Sequence, residues 1–304
     1  MKKIFTIICF AMLAKSLSGQ TDIARFQYDS GKTYAFELSD ESKIVGEITG
    51  KDSSFFIVKT LSINRLEVSF SQIKKISPVV DGEVRNGTYW FPNPNATRYL
   101  FAPSAIQLKK GEGYYQNTYL LLNSFNYGVT NHFSIGGGFE FLSTFTPVMY
   151  GQIRPIFFIT PKLGTQVSKN AYLATGIMYV SVPESDYNSN KGRTGLGIPY
   201  CMGTFGNTNN NMSIGLGMPF AEKKFSDRPL LTVSGMTRVS KKTGLITENW
   251  IIPSSGSRPY EPLFSYGIRF IGEKLSVDLA LLNSVDLSEE FLVGFPFVDF
   301  MVKF

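Results

Sequence analysis

The sequence predicts an all-β chain, in which a transmembrane antiparallel up-and-down β-barrel of about 12 strands follows a small β-barrel domain. Three observations predict it. The first residues have the order of a secretory leader. Nothing after them is apolar for long enough to cross a membrane as a helix. Repeated segments then alternate large apolar residues with small or polar ones, separated by turns of two alternating lengths.

The leader is residues 1–19, MKKIFTIICFAMLAKSLSG. Lys2 and Lys3 precede an apolar stretch from Ile4 to Ala14, and small residues follow at Ser16, Ser18 and Gly19. This charged, apolar, small-residue order is that of an export signal, with cleavage expected near Gln20. The stretch is too short for a bilayer core, which needs roughly 20 residues. Cys9 lies mid-stretch, too early for lipid attachment. Lipid leaves no partner for an open strand edge, so an exported chain that spans without apolar helices must close its sheet.

Composition agrees. Charged residues are 18% of the 304, against about 25% in soluble proteins. The 26 Phe, 15 Tyr and 28 Gly favour strands and tight turns. The leader holds three of the 30 basic residues, so the mature chain sets 27 against 24 acidic ones, a net charge of +3. That balance, without a long basic run, does not suit a nucleic-acid partner. Beyond the leader only Cys201 remains, so an internal disulfide or a cysteine zinc site is excluded.

Residues 26–80 form the small domain. Short alternating runs occur at Thr33–Leu38, Lys43–Ile48, Phe55–Thr60 and Arg65–Phe70, with a tail at Ser71–Ile76 and a turn at Thr49–Ser54. The segments IVGEITGKDSSFFIVKT and RLEVSFSQIKKI resemble the small Sm-like or SH3-like barrels: Gly46 matches their second-strand glycine, and Ile73 and Ile76 their closing apolar pair. A nucleic-acid role does not follow, because an exported domain without an aromatic-basic cluster lacks its chemistry. A contact module for a periplasmic protein and a passive spacer both remain. Residues 81–96 read as a linker, with Asn86-Gly87 and Pro92-Asn93-Pro94-Asn95. Trp90 and Phe91 suit either a membrane-interface anchor or packing on the small domain.

Residues 97–304 are expected to form the barrel. Phe133, Ile135, Gly137, Phe139 and Phe141 alternate with Ser134, Gly136, Gly138 and Glu140. Met212, Ile214, Leu216, Met218 and Phe220 alternate with Ser213, Gly215 and Gly217. Phe264, Tyr266, Ile268 and Phe270 oppose Ser265, Gly267 and Arg269, and Leu275, Val277, Leu279 and Leu281 oppose Ser276, Asp278 and Ala280. The large side should face lipid and the other the lumen. Short links fall at Val129–Asn131, Ser168–Asn170, Gly206–Asn209, Ser240–Thr243 and Gly272–Lys274. Longer ones fall at Lys109–Gly113, Thr144–Arg154, Pro183–Arg193, Ala221–Arg228, Pro253–Pro262 and Asn283–Glu289. These links join twelve strands, the first at 97–108, and the short turns belong on the periplasmic side.

In the last strand Val298, Phe300, Val302 and the terminal Phe304 alternate with Asp299, Met301 and Lys303. This ending is similar to the C-terminal signal of outer-membrane barrels, and 97–304 resembles that class as a whole. The resemblance implies outer-membrane lipid around the barrel and the barrel-assembly machinery as a partner in biogenesis.

No catalytic constellation stands out. The one histidine, His132, sits beside a short turn, at the wrong rim for the outward-facing sites of barrel enzymes, and no motif singles out another base. Glu289 and Glu290, and Glu184 and Asp186, read as loop acids, with cation or lipopolysaccharide bridging as the sharper use. Ser30-Gly31-Lys32-Thr33 lacks the earlier glycine of a phosphate loop, since Phe26 stands there. No metal or cofactor is expected. The inward charges predicted are Glu140, Lys162, Arg238, Glu248, Arg269, Asp278, Asp299 and Lys303. Both signs suit either a weakly selective constriction or a salt-bridged plug. A narrow passive channel or small-molecule transporter is the leading expectation. The alternative is a non-conducting structural or assembly subunit that docks a periplasmic partner.

Overall fold

The computed structural model describes residues 23–79, 83–85, 88–145, 155–183, 192–222, 224–254, 256, 258–287 and 293–304. The leader therefore lies outside the described residues, as do Glu184, Asp186, Glu289 and Glu290. The chain divides into two compact units, Met1–Phe91 and Pro92–Phe304.

The first unit holds a five-stranded antiparallel sheet: β1 (Thr33–Leu38), β2 (Lys43–Lys51), β3 (Phe55–Lys59), β4 (Leu66–Ser69) and β5 (Ile73–Pro78), in the order β4-β3-β2-β1-β5. A 3-10 turn at Phe70–Gln72 joins the last two. Alternation in each short run puts Tyr34, Phe36, Ile48, Phe56, Val58, Val68 and Ile73 into one core. Phe56 is its centre, with Phe26, Tyr28, Phe36 and Phe70 around it at ring-centroid distances of 4.8–6.4 Å. Gly46 lies where a Cβ would stand 2.4 Å from the Lys59 carbonyl oxygen, so the close β2–β3 approach admits only glycine. A two-stranded ladder, β6 (Val84–Arg85) and β7 (Thr88–Tyr89), follows, and the Arg85 guanidinium stacks 4.3 Å above the Trp90 ring.

The second unit is a closed antiparallel barrel of 12 strands. In order these are β8 (Gly113–Thr118), β9 (Leu122–Gly128), β10 (Phe133–Glu140), the interrupted pair β11 (Phe157–Ile159) and β12 (Lys162–Ser168), then β13 (Ala171–Pro183) and β14 (Arg193–Gly206). The rest are β15 (Asn210–Gly217), β18 (Leu230–Ser240), β19 (Thr243–Pro253), β20 (Tyr260–Ile271), β21 (Leu275–Ser284) and β22 (Phe295–Lys303). A small hairpin, β16 (Phe220–Ala221) with β17 (Lys224–Phe225), extends β14 beyond β15. β11 and β12 count as one strand, because both pair with β10 on one side and β13 on the other across Thr160-Pro161. β22 pairs with β8, and the Phe304 and Gly113 main chains bond reciprocally at 2.9 and 3.1 Å.

The predicted alternation sorts the wall. On β20, Phe264, Tyr266, Ile268 and Phe270 are 40–49% exposed, whereas Ser265 and Arg269 are 2% and 0% exposed. Val298 and Val302 likewise face outward, with Asp299 and Met301 inward. An outer wall of this kind is stable in lipid and not in water, because a sheet facing water carries polar residues on that face.

The expected strand at 97–108 does not exist. Residues 93–108 are not part of the wall, and nearly all are buried. The count of twelve survives because the run after Gly113, expected as one strand, is two. A hairpin turn at Tyr119 and Leu120, with φ of 57° and 63°, splits β8 from β9, and the Leu121 N–H bonds the Thr118 carbonyl at 3.0 Å. Both central residues in the left-handed region make this the hairpin turn that normally selects Asn-Gly, so Tyr-Leu gave no signal.

Replacing Phe56 by Ala should remove about 3–5 kcal/mol from the small sheet. Hydrogen exchange on the full chain should quicken throughout 33–78 and leave the barrel strands protected. Equal loss in both units would mean that they do not fold separately.

Candidate functional site: a plug held by lumen charges

Residues 93–108 form a plug in the lumen, built around a small hairpin. Arg98 bridges Pro103, the Tyr99 N–H bonds the Ala102 carbonyl at 2.8 Å, and the Ser104 N–H bonds the Thr97 carbonyl at 2.9 Å. So short a hairpin leaves most of its peptide groups without a ladder partner, and burial makes each orphan costly. The wall supplies the partners.

Glu248 of β19 takes the hairpin tip. Its carboxylate accepts the Leu100, Phe101 and Ala102 N–H groups at 2.8–3.0 Å and the Trp250 indole N–H at 2.7 Å. Arg269 of β20 takes the carbonyls. It donates to Asn95 O at 2.6 Å, Tyr99 O at 2.8 Å and Arg98 O at 3.2 Å. Its other hydrogens form a two-point pair with Asp278, its register partner on β21, at 2.7 and 2.8 Å. Arg98 of the plug pairs with Asp299 of β22, whose second oxygen accepts Thr118 Oγ1 at 2.6 Å and Gln116 Nε2 at 3.0 Å. Asp278 lies 3.9 Å from Arg98 as well, so two arginines and two aspartates form one neutral network. On the far wall, Lys162 of β12 donates to Ile106 O at 2.8 Å, Ser104 O at 2.9 Å and Thr97 O at 3.4 Å.

Hydroxyls and amides complete the seat. Ala105 N–H bonds Thr204 Oγ1 at 2.7 Å, Asn95 Nδ2 bonds Ser276 Oγ at 2.9 Å, and the Tyr99 hydroxyl reaches Asn211 and Ser213 at 2.7 Å each. Sequence reasoning missed this set and Arg98. The available signal was Pro103 in the middle of a supposed central strand, together with the lack of period-two alternation in TRYLFAPSAIQL.

Of the eight predicted inward charges, Lys162, Glu248, Arg269, Asp278 and Asp299 converge on the plug. Arg238 is buried at the short-turn end, donating to Asn209 Oδ1 at 2.8 Å and Lys241 O at 2.6 Å. Glu140 lies outside this cluster: it accepts the Leu142 and Ser143 N–H groups of the short helix Phe141–Phe145 that follows β10. Lys303 sits at the short-turn rim in a 3.0 Å ion pair with Glu112. His132 is at the same rim, its Nδ1 3.3 Å from the Gly164 carbonyl. Cys201 is a free, exposed residue on β14. Among the described residues no group of three or more His, Cys, Asp and Glu could hold a metal.

The plug does not fill the lumen evenly. Beside it, toward β8–β14, lies a cavity of about 330 Å³. A second space of about 500 Å³ opens among Glu112, Asn131, His132 and Lys303 at the short-turn rim. Thr97 and Leu108 line both and stand between them.

Among solved structures the chain is similar to the KdgM porin in complex with disordered oligogalacturonate, at 8% identity and a TM-score of 0.40, over 63% of this chain and 95% of that one. It is also similar to OmpT, an outer membrane protein of Vibrio cholerae, at 10% identity and a TM-score of 0.31, over 91% and 98%. A variant of that protein lacking loop L8 gives 10% and 0.33, over 90% and 96%. No protein-family model matches the chain, and no curated protein sequence matches it either.

Two predictions follow from the clamp. Arg269→Ala should cost about 3 kcal/mol or more, because it leaves Asp278 and three plug carbonyls under-paired in a dry interior. The double change Arg269→Met with Asp278→Leu should cost clearly less than the two single changes added together. Urea unfolding in lipid vesicles measures both, and additive losses would show the pair to be independent. At the rim, burial acts to raise the Glu112 carboxyl, but the Lys109 N–H and the Lys303 ammonium outweigh it and hold it below its ordinary 4.5. A carboxyl lowered on folding adds stability above its unfolded value and loses it as pH falls through the lowered one. Acid should therefore loosen this contact below about pH 4.5, and Glu112→Gln should flatten that part of the pH–stability curve.

Proposed function

We propose that this protein is an outer-membrane small-solute channel held closed at rest by its own plug. Its short turns and small domain face the periplasm. The observation that carries the proposal is the bonding of Lys162, Glu248 and Arg269 to the plug backbone. Conserving a fixed lumen would need only apolar packing, whereas a segment held through hydrogen bonds and ion pairs can exchange them for water when it leaves. The apolar outer wall and the pairing of the first and last wall strands support insertion by the barrel-assembly machinery into outer-membrane lipid. The reaction is passage and not catalysis.

A second reading is favoured by the neutrality of the four-residue network. With Arg98, Arg269, Asp278 and Asp299 matched among themselves, the barrel would be a permanent, non-conducting subunit whose Sm-like or SH3-like domain docks a periplasmic partner.

Planar-bilayer conductance separates the two. The intact protein should be nearly silent, deletion of 93–108 should give discrete conducting steps, and Arg269→Ala should give brief openings. Folding of each variant is checked by heat-modifiable gel mobility. Folded variants that all stay silent would leave the structural reading. In that case, deleting 26–79 should remove co-purifying periplasmic protein.

A further inference from the structure

The cavity of about 330 Å³ lies beside the plug on the β8–β14 side. Its dimensions fall at the small end of pockets that bury small molecules. On the β10 side Ser134 lines it, while at Gly136, next along that face, the space beside the backbone is taken by the Asn126 and Thr160 side chains, which line it too. At Gly138 a Cβ would stand 2.5 Å from the Phe158 ring, so glycine is what lets that ring turn inward. Toward the long-loop rim the lining is apolar: Phe101, Leu122, Ile156, Phe158, Met178 and Val180. Deeper it becomes polar, with Gln116, Ser124 and Asn126, and it ends at Lys162, beside Ser134 in the register.

Lys162 is 7% exposed, and among the described residues its ammonium meets the three plug carbonyls alone. Among the described residues no carboxylate pairs with it, and none lines the cavity. Burying a cation without a counter-charge is unfavourable, and carbonyl dipoles offset this only in part. Its contact with Thr97 O, at 3.4 Å, is the long one, and Thr97 also lines the cavity. A ligand oxygen could replace that contact without disturbing the other two.

We infer that this cavity binds a small amphipathic monocarboxylate, its apolar end among Phe101, Phe158 and Met178 and its carboxylate at Lys162. The inference deepens the channel proposal by naming a substrate class, but binding is read without conductance, so the two can fail separately.

The probe is 4-phenylbutyrate, with 4-phenylbutanol as its uncharged counterpart, titrated calorimetrically into the full chain folded in detergent. The carboxylate should bind saturably and at least about tenfold more tightly than the alcohol, the size expected of one charge-assisted bond. Lys162→Met should abolish that preference, Lys162→Arg should keep it, and Ser124→Phe should fill the space and weaken both ligands. The comparison of the two ligands on the unaltered protein stands even where a variant fails to fold. Equal affinity for acid and alcohol, or no saturable binding of either, would overturn the inference. Folded plug variants that all stay silent in the bilayer, with carboxylate binding intact, would refute only the channel proposal.

Discussion

The structure depends on one pairing, Arg269 with Asp278, made on adjacent strands in register and sealed from water. Lipid outside forces the polar side chains of every strand inward. Twelve strands enclose a space too wide for those side chains to fill by themselves and too narrow to leave them well hydrated. A buried charge then needs a partner, and so does each peptide group of a segment that enters the lumen without joining a sheet. Arg269 answers both needs at once: one edge of its guanidinium holds Asp278, and the remaining hydrogens hold three plug carbonyls. Its planar fork is what makes the double duty possible, and a lysine could not reproduce it.

What was legible in the sequence was whatever follows a short period. Alternation of Phe264, Tyr266, Ile268 and Phe270 against Ser265 and Arg269 reads directly onto the two faces of β20, because lipid and lumen are opposite solvents on either side of one sheet. Most link lengths and the closing strand were legible for a related reason, since a barrel must turn at regular intervals and must end next to its beginning; the exception is Lys109–Gly113, expected as a longer link between two strands, which instead leads from the plug into β8 at the short-turn rim. The plug was not, because its contacts join residues far apart in the chain and impose no local period. Leu100 meets Glu248, and Asn95 meets Ser276, through backbone or amide groups that any sequence scan treats as loop. The same blindness let Tyr119-Leu120 pass as strand, since its left-handed turn is imposed by the flanking pairings and not by its residue types. Of the eight charges named from alternation, five meet the plug or its network; a constriction and a salt-bridged plug draw on the same residues, and only the hairpin between them separates the two.

The clamp is lopsided, and this shapes what the lumen can do. Glu248, Arg269, Asp278 and Asp299 come from four consecutive strands, β19 to β22. The opposite wall contributes Lys162 and a run of small residues on β10. The plug is thus seated firmly against one half of the barrel and spaced from the other. The cavity lies on the spaced side. Such an arrangement leaves space beside the plug, and Thr97 and Leu108 border both that cavity and the one at the short-turn rim.

The two outlying charges make the clearest case for movement. Glu248 and Lys162 sit five strand positions apart in a ring of 12, close to diametrically opposed. Neither pairs with the other. Each is met by plug backbone, the anion by N–H groups and the cation by carbonyls. A designless spacer would not need opposite charges on opposite walls, for hydroxyls would satisfy the same peptide groups at less desolvation cost. With the plug withdrawn, water would take over both groups, and they would face each other across the passage as a transverse pair of charges, the kind of feature that orders polar solutes in a narrow pore. On the proposed channel reading, the residues that hold the plug are therefore also the ones that would give the open lumen its field.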